Sequence, residues 1–400
     1  MTGALSGVKI LDLTQGGGGP YCTMELGDSG AEVIKLEPPE GDWARKLGPP
    51  FVNGESVYFI SLNRNKKSVV INLKHPKGLE TALDLAKSCE VVVQNFRPGV
   101  VDRLGIGYDA VRHVNSAVIY CSMSALDSQG PEASDPGTEL TLQARAGIMR
   151  GLGETGEAPV RFGTDAVATS AGLYAAQGIL AALYHKARTG EGQHVKTSLL
   201  RGAIHVQTTT ITFDCAPDGG LDDPRKRRGE PAAGFKTKDI PINFSFPYML
   251  VGYPADERWK EFCRRVGLGH IVDDPRFANN YDRMAHAKEL RRYYEEAFED
   301  KTSAELLEIL EELGALNTQF NDFPTLFSHP QILANDMVAE FDHTKAGRMK
   351  AVGIPWKMSE SPGEIRLPPP LLGQHTQEVL QTEGFTKERI ADLRNTGAIA

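Results

Sequence analysis

The sequence predicts an α/β protein built on a doubly wound parallel sheet. Its first 125 residues alternate short Val/Ile-rich runs with amphipathic stretches, and the runs are almost continuously apolar. Such runs are typical of parallel strands that helices cover on both faces. The composition agrees, because 40% of the 400 residues are hydrophobic and 24% are charged, which is ordinary for one large or two modest globular domains.

Five runs in this first part predict strands, and the segments between them predict helices such as KGLETALDLAK at 77–87. The predicted strands are VKILDL at 8–13, AEVIKLE at 31–37, KSVVINL at 67–73, EVVVQNF at 90–96 and AVIYCSM at 117–123. Farther along, small residues at 168–188 predict a closely packed helix, and a turn then leads to the strand-like run HVKTSLL.

A domain boundary is expected at residues 216–247, where Pro, Gly and charged residues precede mixed β-rich runs. Residues 256–313 predict helices, one of them opened by a capping box between Thr302 and Glu305. The last part of the chain is expected to return to the first domain and to end in a helix near 376–395. The predicted domains are a large α/β domain at 1–215, a small domain with its linker at 216–329, and the C-terminal return at 330–400.

The charge of the chain excludes some partners. With 44 Lys and Arg against 52 Asp and Glu, the net charge is -8, which argues against nucleic acid or an anionic membrane. No apolar run reaches the roughly 18 residues that span a bilayer, and no signal-peptide pattern opens the sequence, so a cytoplasmic protein without a membrane partner is expected. The five cysteines form no CxxC pair and the histidines are scattered, so the sequence offers no metal site.

The strongest local feature is a glycine loop between the first predicted strand and a helix. Residues 16–19 are all Gly and precede Pro20, so the backbone N–H groups of a helix start could face a phosphate or pyrophosphate. A dinucleotide fingerprint would need a third glycine where Cys22 stands, which makes a nicotinamide-dependent oxidoreductase the weakest interpretation. A glycine turn without a ligand stays open as an alternative.

Basic residues follow two predicted strands, in NLKHPKG and QNFRPGVVDRLG. Open α/β sheets bind ligands beyond the carboxyl ends of their strands. Lys74, Arg97 and Arg103 could form the basic pocket that an anionic ligand needs in an acidic chain, with Asn95 donating to an adenine or a ribose. The alternative is that each is a solvated surface charge.

Several long motifs together resemble the class III CoA-transferases, the CaiB/BaiF family, which includes formyl-CoA transferases and the related 2-methylacyl-CoA racemases. The motifs cover most of the chain and include GPYCTMELGDSGAEVIKLEPPEGD, SVYFISLNRNKKSVVINLK, VVQNFRPGVVDRLGIGYDAV, ALYHKARTGEGQHVKTSLL and LPPPLLGQHTQEVL. Because they combine, they are far more specific than the glycine loop alone.

This resemblance implies a Rossmann-like large domain formed by both chain ends, a smaller α+β domain inserted between them, and two chains interlocked in a dimer. It also implies that a CoA thioester is the substrate, with no covalently bound cofactor and no metal. By matching positions, the residues lining CoA would be Asn72, Leu73, Lys74, Asn95, Phe96, Arg97 and Arg103.

Family chemistry uses an Asp carboxylate as nucleophile. It attacks the donor acyl-CoA to give a mixed anhydride and then an aspartyl-CoA thioester, and the acceptor acid reverses these steps. The Asp stands in a stretch like RVGxxxADLxAGLYAA, which here is RFGTDAVATSAGLYAA with Ala168 at the matching position. Asp165 is a weak substitute, because it lies three residues earlier and a nucleophile must be placed closely.

Other active-site positions depart from the family as well. Gly17 stands where some members have Gln, Thr138 stands where Tyr is frequent, and residues 125–131 and 315–320 differ from GFGQTGP and VPCGPV. A single Asp-to-Ala change in an otherwise homomeric enzyme would explain only Ala168. A racemase relative would need a paired acid and base, and a protein that only binds CoA thioesters would show no exchange.

The preferred hypothesis is a non-catalytic subunit whose homologous partner carries the Asp, in a heterodimer or heterotetramer, and a homodimer stays open as the alternative. Such pairing resembles succinyl-CoA:benzylsuccinate CoA-transferase, where one of two homologous chains lacks the nucleophile. The substrates would be an acyl-CoA, with succinyl-CoA as a candidate donor, and an organic acid.

Overall fold

The central sheet is entirely parallel, as the sequence predicts. The computed structural model describes residues 3–153, 157–215, 234–248 and 250–400. The strands of the first half are β1 (Lys9–Asp12), β2 (Glu32–Glu37), β3 (Phe51–Val52), β4 (Glu55–Ser56), β5 (Lys66–Val70), β6 (Val91–Gln94), β7 (Ile119–Ser124) and β8 (His194–Ser198). β3 and β4 form a short antiparallel pair, and the other six form one sheet in the order β5-β2-β1-β6-β7-β8.

Helices cover both faces of this sheet. They are α1 (Gly18–Asp28), α2 (Val57–Leu62), α3 (Pro76–Lys87), α4 (Val100–Arg103), α5 (Tyr108–Val114), α6 (Glu139–Arg145), α7 (Ala166–Thr189), α8 (Leu199–His205) and α9 (Thr208–Asp214). Alternate strand residues point to opposite faces, so Leu11 packs with Leu85 of α3 in one core, while its neighbour Ile10 packs with Ala175 of α7 in another. Two apolar cores on opposite faces confirm the doubly wound arrangement.

The long helix α7 is the one predicted at 168–188, and it packs closely on α1. A side chain at Gly172 would place its Cβ 2.6 Å from the carbonyl oxygen of Gly18, so only glycine allows this approach. The helix ends at Gly190 in the left-handed region, φ +77°. Among the described residues, α7 is the helix that is long and apolar enough to cross a membrane. The expectation from uninterrupted apolar runs did not include it. Its small residues are buried against α1 and the sheet, as in a core helix.

The second compact unit comprises residues 149–160 and 212–330 and has an aromatic core around Trp259, Phe262 and Phe298. Its elements are β9 (Ile242–Ser245), α10 (Ala255–Arg265), α11 (Asn280–Ala285), α12 (Ala287–Phe298), α13 (Ser303–Glu312), β10 (Leu316–Gln319) and α14 (Phe323–Leu326). The short helix α15 (Pro330–Leu333) begins at the last residue of this unit and continues into the first unit. β9 and β10 pair antiparallel. The capping box between Thr302 and Glu305 is confirmed. Part of the predicted boundary, residues 216–233, lies outside the described residues.

The first unit combines Met1–Ile148, Arg161–Ile211 and Gln331–Ala400. The last stretch contains the hairpin β11 (Val338–His343) and β12 (Gly347–Val352), then α16 (Thr376–Thr382) and α17 (Lys387–Asn395). It covers the outer edge of β5: Ile399 forms an antiparallel bridge with Ile71, and the hydroxyl of Thr376 accepts a hydrogen bond from the N–H of Val70 over 3.1 Å. The helix predicted near 376–395 is in fact two, because Gly384, with φ +84°, ends the first.

Candidate active site

A crevice opens where the order of strands in the sheet reverses, between β1 and β6. The connections after these two strands leave in opposite directions, and open α/β sheets bind their ligands at such a point. The glycine loop follows β1, and residues 95–97 follow β6. The predicted basic segment at 72–74 follows β5, and it therefore also lies at the carboxyl ends of the strands. The structure therefore brings the two sequence features together at one place.

Asn95 connects the two sides of this crevice. Its Nδ2 donates to the carbonyl oxygen of Gln15 over 2.7 Å, and its Oδ1 accepts from the N–H of Gln15 over 2.9 Å. The side chain thus satisfies both backbone groups of a residue in the glycine loop. Because both polar atoms of the Asn95 side chain are bonded to Gln15, Asn95 is better suited to position the glycine loop than to donate to an adenine or a ribose, as predicted.

A buried ion pair holds the glycine loop from below. Lys35 and Asp42 are fully buried, with Nζ and Oδ2 2.9 Å apart. Lys35 donates to the carbonyl oxygen of Thr14 over 2.8 Å, and Oδ1 of Asp42 accepts from the N–H groups of Gly16 and Ala44. Burial alone would lower the pKa of Lys35, but the neighbouring carboxylates, Asp42 first, raise it above its usual value. Lys35 therefore stays protonated, and its contacts with Asp42 and Thr14 fix the loop.

A cavity of about 410 Å³ lies at the ends of β1, β2, β5 and β6. Of the seven residues predicted to line CoA, it brings together Asn72, Leu73, Lys74 and Phe96. The two others that follow β6, Asn95 and Arg97, line a neighbouring cavity instead. The seventh, Arg103, is exposed on α4 and lines neither of these two cavities.

The neighbouring cavity, of about 620 Å³, is lined by Ala168, the residue that the sequence motif predicts to match the family nucleophile. Ala168 lies in the first turn of α7 and presents only a methyl group. Across from it, a Cβ on Gly17 would lie 3.3 Å from the Cβ of Ala168 and 2.7 Å from the hydroxyl of Tyr58. The space that a longer side chain at Gly17 would need is therefore taken by Tyr58.

Glu139 carries the carboxylate that lies against the start of α7. Its Oε1 accepts from the N–H of Val167 and its Oε2 from the N–H of Ala168, both over 2.9 Å. Gln143 also donates to Oε1, over 2.8 Å. An anion is well placed here because the first N–H groups of a helix have no partner within the helix and the helix dipole is positive at this end. Glu139, the acidic residue of PGTE, was not singled out from the sequence.

Asp165, the weak substitute nucleophile, lines the same cavity. It lies at the N-cap of α7, one turn before Ala168, and its carboxylate is 3.3 Å from the guanidinium of Arg161. Burial and, after it, the charge of Asp165 raise the pKa of Tyr58 to about 12, so this phenol stays protonated at neutral pH. Asp165 and Tyr58 are therefore polar side chains beside the methyl group of Ala168 in this cavity.

A chain of hydrogen bonds between residues that are far apart in the sequence supports the segment after β6. The N–H of Phe96 donates to Oε1 of Gln94 over 2.8 Å, and Nε2 of Gln94 donates to Oγ of Ser122 over 2.9 Å. Oγ of Ser122 lies 2.9 Å from Nε2 of His194. Burial, and then Lys196, lower the pKa of His194 to about 4, so the ring is neutral and can accept from Ser122.

Among the described residues, no group of three or more His, Cys, Asp and Glu side chains could hold a metal ion. The cysteines are free thiols, and Cys22, Cys89, Cys121 and Cys263 are buried while Cys215 is exposed. Burial raises the pKa of the Cys121 thiol to about 12, which keeps it protonated.

Comparisons with known proteins agree with this geometry. The profile of the family described as CoA-transferase family III matches residues 5–376. The chain is 34% identical to human succinyl-CoA:glutarate CoA-transferase, covering 99% of this chain and 90% of that protein. It is 31% identical to formyl-CoA:oxalate CoA-transferase of Bradyrhizobium diazoefficiens, covering 100% of this chain and 98% of that protein.

Solved structures resemble it as well. A CAIB/BAIF family protein from Brucella suis superimposes with a TM-score of 0.86 at 27% identity, covering 96% of this chain and all of that one. The agreement therefore extends over nearly the whole chain.

Proposed function

Because this chain belongs to CoA-transferase family III, we propose that it is a subunit of a class III CoA-transferase whose nucleophilic Asp is supplied by a homologous partner chain. Enzymes of this family act on CoA thioesters without a cofactor. The observation that supports the proposal is that Ala168, which the sequence motif matches to the family's Asp, lines the cavity at the start of α7 and offers it only a methyl group.

A methyl group cannot carry an acyl group, and the carboxylates around it are poorly suited to replace the Asp. Both oxygens of Glu139 accept hydrogen bonds from the start of α7, which lowers their nucleophilicity. Asp165 lies one turn away and is paired with Arg161. A nucleophile displaced by several ångströms loses most of the benefit of orientation.

The transfer itself would take place on the partner. Its Asp attacks the carbonyl carbon of the donor thioester and releases the CoA thiolate, which then attacks the resulting anhydride to give an aspartyl-CoA thioester and the free donor acid. The acceptor carboxylate reverses these steps, so that one thioester is consumed and one is formed. This chain contributes a second CoA-binding site and the surface that completes the assembly with the partner.

We also propose that the two chains are interlocked in a dimer or in a tetramer of such pairs, and that they act in the cytoplasm. A degenerate chain can persist in such an assembly, because its buried surface stabilises the partner even when its own site is inactive. The relatives named for succinyl-CoA support succinyl-CoA as the first donor to test.

The test is CoA exchange between succinyl-CoA and candidate organic acids, measured with this chain alone, with a co-expressed homologue, and with that homologue carrying Asp→Ala at its nucleophile. Exchange only in the second case supports the proposal, and hydroxylamine trapping should then place the acyl group on the partner's Asp. Robust exchange by this chain alone contradicts it.

Two variants of the assay address the alternatives. If Ala168→Asp alone restores exchange at least a hundredfold, the chain is an inactivated homomeric transferase. If deuterium is lost from a 2-methylacyl-CoA without exchange, it is a racemase relative. CoA binding with no exchange in any pairing would leave a binding protein.

A further inference from the structure

We propose that Lys66 is a positioning residue: with Asp12 it holds the glycine loop in the arrangement in which this chain binds an acyl-CoA beside Ala168. This inference rests on the proposed function, since it assumes that the chain binds acyl-CoA. It goes further by assigning the shape of the loop to a buried ion pair. Neither Lys66 nor Asp12 is among the residues that line the cavity.

The glycine loop has backbone donors that no group of the protein uses. The N–H groups of Gly17, Gly18 and Gly19 have no acceptor among the described residues, and Gly17 and Gly18 line the cavity. They stand at the start of the 11-residue helix α1, the positive end of its dipole. Free donors bind a ligand tightly only if they are held in place beforehand, because ordering them on binding costs affinity.

Asp12 connects the two ends of the glycine loop. Its Oδ1 accepts from the N–H and the hydroxyl of Thr14, which precedes the glycines, and its Oδ2 accepts from the hydroxyl of Thr23, which follows them. Burial alone would raise the pKa of Asp12, but the charges of Lys66 and then Lys35 hold it below its usual value. A charged carboxylate therefore links both ends of the loop.

Lys66 completes this support from β5. It is fully buried, and its Nζ donates to the carbonyl oxygen of Pro20 over 2.8 Å and to Oδ1 of Asn63 over 3.0 Å, and lies 3.2 Å from Oδ2 of Asp12. These three acceptors use all three hydrogens of the ammonium group. Lys66 therefore has no hydrogen left for a ligand, and it acts through Pro20, the residue directly after the glycines.

The proton on Lys66 makes this support sensitive to pH. The titratable groups that face Lys66 from the elements packed against it are Asp12 of β1, Lys35 of β2, Asp42, and Cys22 and Asp28 of α1. Burial lowers the pKa of Lys66 to about 8, although the charge of Asp12 opposes this shift. Above pH 8 the side chain loses one hydrogen and its attraction for Asp12. The loop is then held less firmly, so the affinity for acyl-CoA should fall as pH rises.

The experiment is calorimetric titration of the full-length chain with butyryl-CoA, which has no free thiol, at pH values from 7 to 9. The affinity of the wild type should fall at least threefold over this range. The double variant Asp12→Asn with Lys66→Met removes both buried charges together, so that neither is left unpaired. It should bind at least tenfold more weakly at pH 7 and should lose the fall in affinity between pH 7 and 9.

The matched control is Lys67→Met, the next residue of β5. Its Nζ is paired near the surface with Glu32 and Glu378, so this variant should keep the affinity and the pH profile of the wild type. A second variant, Asn63→Ala, keeps both buried charges and removes one acceptor of the ammonium group. It should move the midpoint of the pH profile to lower pH by at least half a unit, because the charged form of Lys66 loses a partner.

Urea unfolding of each variant shows whether it is folded. A folded double variant that binds like the wild type, or that keeps its pH profile, overturns the inference and leaves the proposed function standing. If the double variant does not fold, the pH midpoint of Asn63→Ala decides, and an unchanged midpoint overturns the inference. If the wild type does not bind butyryl-CoA at any pH, acyl-CoA binding and this inference both fail.

Discussion

The backbone N–H of Ala168 donates to Oε2 of Glu139 over 2.9 Å, so a carboxylate lies against the residue that the sequence motif predicts to match the family nucleophile. The other oxygen of Glu139 accepts from Val167. Together they satisfy two of the N–H groups that open the 24-residue helix α7. The carboxylate of Glu139 therefore holds the start of the helix.

Glu139→Ala should destabilise the protein by about 1 to 2 kcal/mol, because two helix N–H groups lose their acceptor. Glu139→Gln keeps one acceptor oxygen and should cost about half as much. Equilibrium unfolding in urea measures both. The control is Glu132→Ala, which removes an exposed carboxylate paired with Arg145 and should change the free energy of unfolding by less than about 0.5 kcal/mol. Equal effects of Glu139→Ala and Glu132→Ala would contradict the assignment.

Asp42→Ala should be more damaging, about 3 to 5 kcal/mol, because it leaves the fully buried charge of Lys35 without its closest counterion. The double variant Lys35→Met with Asp42→Leu should cost less than Asp42→Ala, since neither buried charge then remains. Urea unfolding of the three proteins tests this order. The matched control is Asp336→Ala, whose pair with Lys357 is exposed and should contribute less than about 1 kcal/mol. A double variant that is as unstable as Asp42→Ala would argue against the ion pair as the cause.

Asn95→Ala and Lys74→Ala should separate loop positioning from charge. Asn95→Ala leaves both backbone groups of Gln15 without their partner, so it should lower the free energy of unfolding by about 1 to 3 kcal/mol and weaken CoA binding. Lys74→Ala removes an exposed charge at the predicted CoA site, so it should weaken CoA binding, reduce its salt dependence and leave stability unchanged. Calorimetric titration with CoA and urea unfolding provide the two readouts. If both variants lose only affinity, Asn95 acts on the ligand and not on the loop.

His194 should make the stability of the protein depend on pH between about 6.5 and 4. Its folded pKa of about 4 lies below the ordinary 6.5, chiefly through burial and then Lys196, against the opposing charges of Asp109 and Asp102. The unfolded chain therefore binds a proton first, and the stabilisation, complete above pH 6.5, is lost as pH falls toward 4. For a half-buried ring we expect about 1 kcal/mol after allowing for solvent screening.

The measurement is the difference in unfolding free energy between the wild type and His194→Gln at pH 7 and at pH 4.5. The stability of the wild type should fall more steeply than that of the variant. His185→Gln, on the exposed side of α7, is the control and should follow the wild type. Parallel curves for the wild type and His194→Gln would show that the ring contributes no pH dependence.

The sheet could be predicted because β-branched residues are concentrated in its strands, and the runs at 8–13, 31–37 and 90–96 each contain an observed strand. The helix near 376–395 could not be predicted as two, because the turn depends on Gly384 adopting a positive φ. Sequence spacing placed the glycine loop and residues 95–97 at strand ends, and the fold brings them together.

The contacts that hold the site in place could not be predicted either, because they join residues that are distant in the sequence. Lys35 in the middle of a strand resembles an exposed charge until the fold places Asp42 beside it. Ser122 and His194 lie far apart in the sequence and meet because β7 and β8 are neighbours. Such contacts are properties of the pairing of strands, which local patterns do not encode.

The edge of β5 is covered by Gln331–Ala400, a stretch of the larger unit that the ribosome makes after the strands of the first half. While the chain is being synthesised, these strands are already present, but their outer edge has unpaired N–H and C=O groups. Such an edge can pair with other nascent chains. We therefore expect translation products that stop before Gln331 to aggregate, and the chain to depend on chaperones until this stretch has emerged and docked.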